Sequence, residues 1–126
     1  MKLIKTIAAR LVMEEPIEHI VKASKANSIT LFDVSGTISG VEEGTGQYGK
    51  WRALLGSFTA IRTRDKKEFR SGKVALRGGV VDLLLADCSF NETGNMLPTK
   101  MKYTLTVGVY KSNNKAGYEY WFELNE

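Results

Sequence analysis

Cationic side chains interleaved with aromatic rings form the densest chemical pattern in this sequence. Residues 50–77 carry nine basic side chains (Lys50, Arg52, Arg62, Arg64, Lys66, Lys67, Arg70, Lys73 and Arg77) against two acidic ones, Asp65 and Glu68. The whole chain has a formal charge of +4, so everything outside this segment is net negative and the positive excess is confined to it. Tyr48, Trp51, Phe58 and Phe69 sit among the cations. A flexible polyanion whose units carry both charge and flat rings suits such a mixture. Ammonium and guanidinium groups neutralise phosphates, and aromatic faces stack on bases at roughly 1–3 kcal/mol each. The competing use of the same charges is a solvated strand edge whose lysines block aggregation. Among the rings, Phe58 is expected in the core, while Tyr48 and Trp51 are divided between packing and stacking.

Other chemistries find little to work with. One cysteine, Cys88, and one histidine, His19, exclude an internal disulfide, a cysteine-rich zinc site and a two-histidine metal motif. His19 follows Glu18 directly in a stretch expected to be helical, where adjacent side chains do not face each other. Asp82 and Asp87 lie in an apolar segment and make a poor metal pair. Gly44-Thr-Gly46-Gln-Tyr-Gly49 has the spacing of a dinucleotide fingerprint. That fingerprint works only between a strand and a helix whose N-terminus holds a pyrophosphate, and Gly56-Ser57 stops any helix here. Lys50-Trp51 also lacks the Lys-Ser/Thr of a P-loop, so these glycines are expected in a flexible loop joining two strands. Neither an enzyme nor a cofactor is expected.

The elements that must position the basic segment follow from periodicity. With 126 residues, 43% of them hydrophobic, the chain suits one domain with a core large enough to need no staples. Residues 3–12 place apolar side chains at helical spacing and predict a short amphipathic helix. Pro16 suits the first turn of a second one, with Ile17, Ile20 and Val21 on one face. Residues 29–32 and 34–41 are rich in β-branched types, with Gly36 and Gly40 as bend points. Residues 50–64 read as a long strand interrupted at Gly56, residues 65–67 as a polar turn and residues 68–76 as the returning strand. Alternation then puts Arg62 and Arg64 on the same side. Residues 80–88 suggest a short helix, and residues 89–99 a loop. The last part alternates clearly: Tyr103, Leu105, Val107 and Val109, then Tyr118, Tyr120, Phe122 and Leu124, predict a β-hairpin.

Three meandering strands, a helical connector and a two-strand hairpin follow the element order of an OB-fold barrel. The expected fold is therefore mainly β, a five-stranded OB-fold-like barrel over residues 29–126 with a short N-terminal helical extension over residues 1–28. The glycine loop with Tyr48-Gly49, then Trp51-Arg-Ala-Leu-Leu-Gly56-Ser-Phe58 and Phe69-Arg-Ser-Gly72-Lys73-Val-Ala-Leu76, with the tyrosine-rich hairpin after them, resembles the small OB-fold single-stranded DNA-binding proteins of bacteriophages. That resemblance spans roughly residues 29–124. It implies sequence-tolerant binding that protects exposed strands in replication or recombination, with proteins of those processes as partners. Tyr48 and Trp51 would stack on bases. Lys50, Arg52, Arg62, Arg64, Arg70 and Lys73 would hold phosphates. Two other uses stay open: a β-barrel interaction module whose basic patch docks on an acidic protein, and a small RNA-binding regulator. Oligomeric state is open as well. Lys2, Lys5 and Arg10 imitate a transit peptide, but Glu14, Glu15 and Glu18 follow at once. No targeting signal or membrane span is expected, and a cytoplasmic location, host cytoplasm for a viral protein, fits one unpaired thiol.

Overall fold

A computed structural model describes residues 2–7, 10–21, 29–47, 49–76, 79–111 and 117–125. Eight strands and two short helices follow in the order β1 (Lys2–Ile7), β2 (Arg10–Met13), α1 (Ile17–Ile20), β3 (Ile29–Gly46), β4 (Gly49–Arg62), β5 (Glu68–Leu76), α2 (Gly79–Leu85), β6 (Thr99–Lys100), β7 (Thr104–Lys111) and β8 (Tyr118–Asn125). All pairings are antiparallel, and the main sheet runs β1-β8-β7-β3-β4-β5-β2, with β6 beside β3. Three consecutive strands, β3, β4 and β5, are followed by a long connection through α2, after which β7 returns beside β3. This spatial order is a Greek key.

The expected helix over residues 3–12 is instead two strands, which corrects the helical extension: among the described residues there, only Ile17–Ile20 is helical. β1 pairs with β8 and β2 with β5, at opposite ends of the sheet order. Ile7 and Arg10 are three residues apart, so their Cα atoms can be separated by no more than about 11 Å. The two ends of the sheet must therefore approach each other. Chain continuity across this gap curls the sheet into a barrel-like shape, and the N-terminal strands lie at the seam between β5 and β8. The short helix after Pro16 does form, and its Ile20 is buried together with Val21.

Alternation explains which face is filled. Phe32 and Val34 of β3, Leu54, Phe58 and Ala60 of β4, Phe69 and Val74 of β5, Leu105, Val107 and Val109 of β7 and Phe122 and Leu124 of β8 line one continuous core. Val80, Val81 and Leu84 of α2 join it, as does Leu11 of β2. The terminal hairpin and the helix after β5 thus match the sequence pattern. Gly40 marks a register shift in the β3–β4 ladder, as a bend residue should. Gly36 and Gly56 serve close approach: a Cβ on Gly36 would overlap the Ser57 carbonyl oxygen, and one on Gly56 the Thr37 carbonyl oxygen. Among the described residues, no helix is long and apolar enough to cross a membrane.

Candidate nucleic-acid interface

The fingerprint-like glycines lie on paired strands rather than in a loop. The β3–β4 ladder continues outward through Glu43↔Arg52, Gly44↔Trp51 and Thr45↔Lys50 to Gly46↔Gly49, leaving two residues for the turn. Gly49 closes that turn with φ 99°, a backbone region that favours glycine. Gly44 does something different. A Cβ there would overlap the Trp51 indole, so the missing side chain lets the ring lie flat on its cross-strand neighbour. Gly108 receives the Trp121 indole in the same way on β7 and β8. In that hairpin Tyr120 turns inward and is buried, whereas Trp121 pairs with Gly108 on the opposite face.

Register divides the sequence candidates between two faces, because directly paired residues share a side. Val41, Leu54, Val74 and Leu11 form a row on the core side, and Glu43, Arg52 and Leu76 form the next row outward. Lys50, opposite Thr45, extends that side toward the tip of the β3–β4 hairpin. Trp51 and Gly44 lie on the outer side instead, together with the row Glu42, Ala53 and Ala75 and the row Gly40, Leu55, Lys73 and Val12. Arg70 is exposed, paired with Thr59 on that same outer face further along β5.

Each face has its own electrostatics. On the outer side, Lys73 Nζ lies 3.2 Å from both carboxylate oxygens of Glu42 and 5.5 Å from the centroid of the Trp51 ring, over its face. On the core side, Arg52 Nη2 donates to Asp82 Oδ1 of α2 at 2.8 Å. Beside it opens a cleft of about 540 Å³ lined by Glu43, Gly44, Thr45, Lys50, Trp51, Arg52 and Leu76. The ion-pair partners Glu42 and Asp82 were not legible in the sequence, since each stands 30 or more residues from its cation.

Arg62 departs from its expected place. Only 7% exposed, it donates from Nε to Asp65 Oδ1 at 2.9 Å, from Nη2 to Asp65 Oδ2, and from Nη1 to the Ile20 carbonyl at 2.6 Å. Its guanidinium also sits 5.2 Å from the centroid of the Phe69 ring. The hydrogen bond from Arg62 is the largest influence holding the Asp65 carboxyl down at about 2, and Asp65 in turn raises the guanidinium. With these donors engaged by Asp65 and the Ile20 carbonyl, Arg62 anchors the end of α1 and is not placed to meet a phosphate. Arg64 does not share its side: it is exposed in the turn that follows β4. Phe58 is in the core as expected. Tyr48 falls outside the described residues.

The candidates thus resolve into an outer stripe of Trp51, Lys73 and Arg70, a tip cleft with Lys50 and Arg52, an exposed Arg64 and a buried Arg62. No protein-family model, curated protein sequence or solved structure matches this chain.

Proposed function

We propose that this protein binds single-stranded DNA without sequence preference along the outer face of β3, β4 and β5. The observation that carries the proposal is the Trp51 indole, backed by Gly44 near the tip of the β3–β4 hairpin and set beside the Lys73 ammonium of β5. A base stacked on an aromatic ring next to a cation that neutralises its phosphate is the repeating unit of sequence-tolerant recognition. Arg70 continues the stripe along β5, and Lys50 contributes a cation at the tip. Arg52 and Arg64 flank this path, the first already engaged by Asp82. In this proposal the Greek-key order with a helix before its fourth strand is that of an OB-type barrel, whose strand face and adjoining loops serve as the ligand platform. Covering exposed strands during replication or recombination, in a cytoplasm, is the role that fits such a surface and the bacteriophage proteins it resembles.

The test is fluorescence anisotropy of labelled oligothymidylate, oligouridylate and duplex DNA at two salt concentrations. Three cations in reach of a strand, Lys50, Arg70 and Lys73, give an expected log–log salt slope of about −2, at roughly −0.7 per phosphate. Single-stranded DNA should bind well ahead of duplex. Preferential oligouridylate binding would reassign the surface to RNA. A flat salt response with no preference for single strands would leave the basic patch as a protein-docking surface.

A further inference from the structure

We infer that Glu42 is a latch on this same site: it holds Lys73 across the Trp51 indole in the unbound protein, and a phosphate of the incoming strand takes Lys73 from it. The inference rests on the strand-binding proposal above and adds how the site is kept closed. One face of the indole lies against Gly44. The Lys73 ammonium stands over the ring, 5.5 Å from its centroid. Both Glu42 oxygens hold that ammonium at 3.2 Å. A base stacking on the ring beside Lys73 therefore competes with the ammonium for it. The flexible four-carbon stem of lysine lets the ammonium give way without moving β5.

A phosphate presents Lys73 with the same kind of anionic oxygens that Glu42 offers, so binding exchanges one ion pair for another. The exchange also uncovers the ring, which couples phosphate capture to base stacking at a single residue. Any other polyanion lacking flat rings could take Lys73 but would gain nothing from the exposed indole. The latch thus favours ligands that carry both groups. Partly exposed ion pairs of this kind are weak. Holding the site closed should lower the apparent affinity by up to about fivefold, since only the open fraction binds.

The experiment titrates labelled oligothymidylate with the full chain and its variants, read by anisotropy. Glu42→Gln should bind about two- to fivefold more tightly than wild type. The same change in a Lys73→Met background should give no gain, because no ammonium remains to be released. Asp33→Asn removes an equal charge from an exposed position on the same strand, roughly 30 Å along it, and should leave affinity unchanged. Equal gains from Glu42→Gln and Asp33→Asn, or a gain that survives in the Lys73→Met background, would overturn the latch while leaving strand binding intact. A wild-type chain that does not bind oligothymidylate would overturn the strand-binding proposal, and the latch with it.

Discussion

Replacing Arg62 with methionine should destabilise the fold and leave strand binding almost untouched, the opposite of what a phosphate ligand would do. Methionine keeps most of the stem that packs near Phe69 but loses all three donated hydrogen bonds. The Ile20 carbonyl, on a fully buried residue, loses its side-chain donor. Removing the side-chain hydrogen bond to a buried acceptor costs about 1–3 kcal/mol. Asp65 is open to water, so its carboxylate can be rehydrated, and the loss stays below that of a wholly enclosed ion pair. For a chain of this size, each kcal/mol lowers the melting temperature by about 4 °C, which places the variant roughly 4–12 °C below wild type. The pH dependence supplies a second signature. Asp65 has its carboxyl lowered from 3.8 to about 2 in the folded protein. A depressed carboxylate stabilises the fold above its unfolded value, and that contribution is lost as pH falls through the folded one. The gap between wild type and Arg62→Met should therefore narrow between about pH 4 and pH 2. Thermal melts followed by far-UV circular dichroism at several pH values, with anisotropy titrations at pH 7, read both quantities. If Arg62→Met melts with wild type while its salt slope falls by about 0.7, the arginine touches phosphate and the anchoring argument is refuted.

Three further outcomes follow from the same geometry. Gly44→Ala should push the Trp51 indole off its seat, seen as a changed tryptophan emission spectrum and weaker oligothymidylate binding; unchanged emission would show that the ring does not rest on Gly44. Trp51→Ala should weaken strand binding by roughly 1–3 kcal/mol while unfolding remains cooperative, as urea melts beside anisotropy would establish. Phe58→Ala, in contrast, opens the core and should cost about 3–5 kcal/mol in urea unfolding, and a near-neutral result would place Phe58 outside the load of core packing.

Much of this molecule is written locally. Period-two alternation in Leu105, Val107 and Val109, and again in Tyr120, Phe122 and Leu124, is enough to define a hairpin with one buried face, because a strand's side chains must alternate whatever it pairs with. The connector helix after β5 and the core position of Phe58 also match what the apolar pattern implied. The N-terminal residues were not. In a short run such as Leu11-Val12-Met13, preceded by Ile4 and Ile7, apolar residues satisfy helical and extended patterns alike. The choice fell to two sheet edges, on β8 and β5, that the chain brings together only once it has curled. Charge was the other thing the sequence left open. It placed nine cations in one segment, but their roles depend on register. Pairing across β3, β4 and β5 seats Lys73 between Glu42 and Trp51, while Arg62 turns inward to the Ile20 carbonyl. A long cationic side chain carries no local signal of its partner, because its environment is assembled from residues dozens of positions away, and only tertiary structure decides whether it meets solvent, a carboxylate or the core.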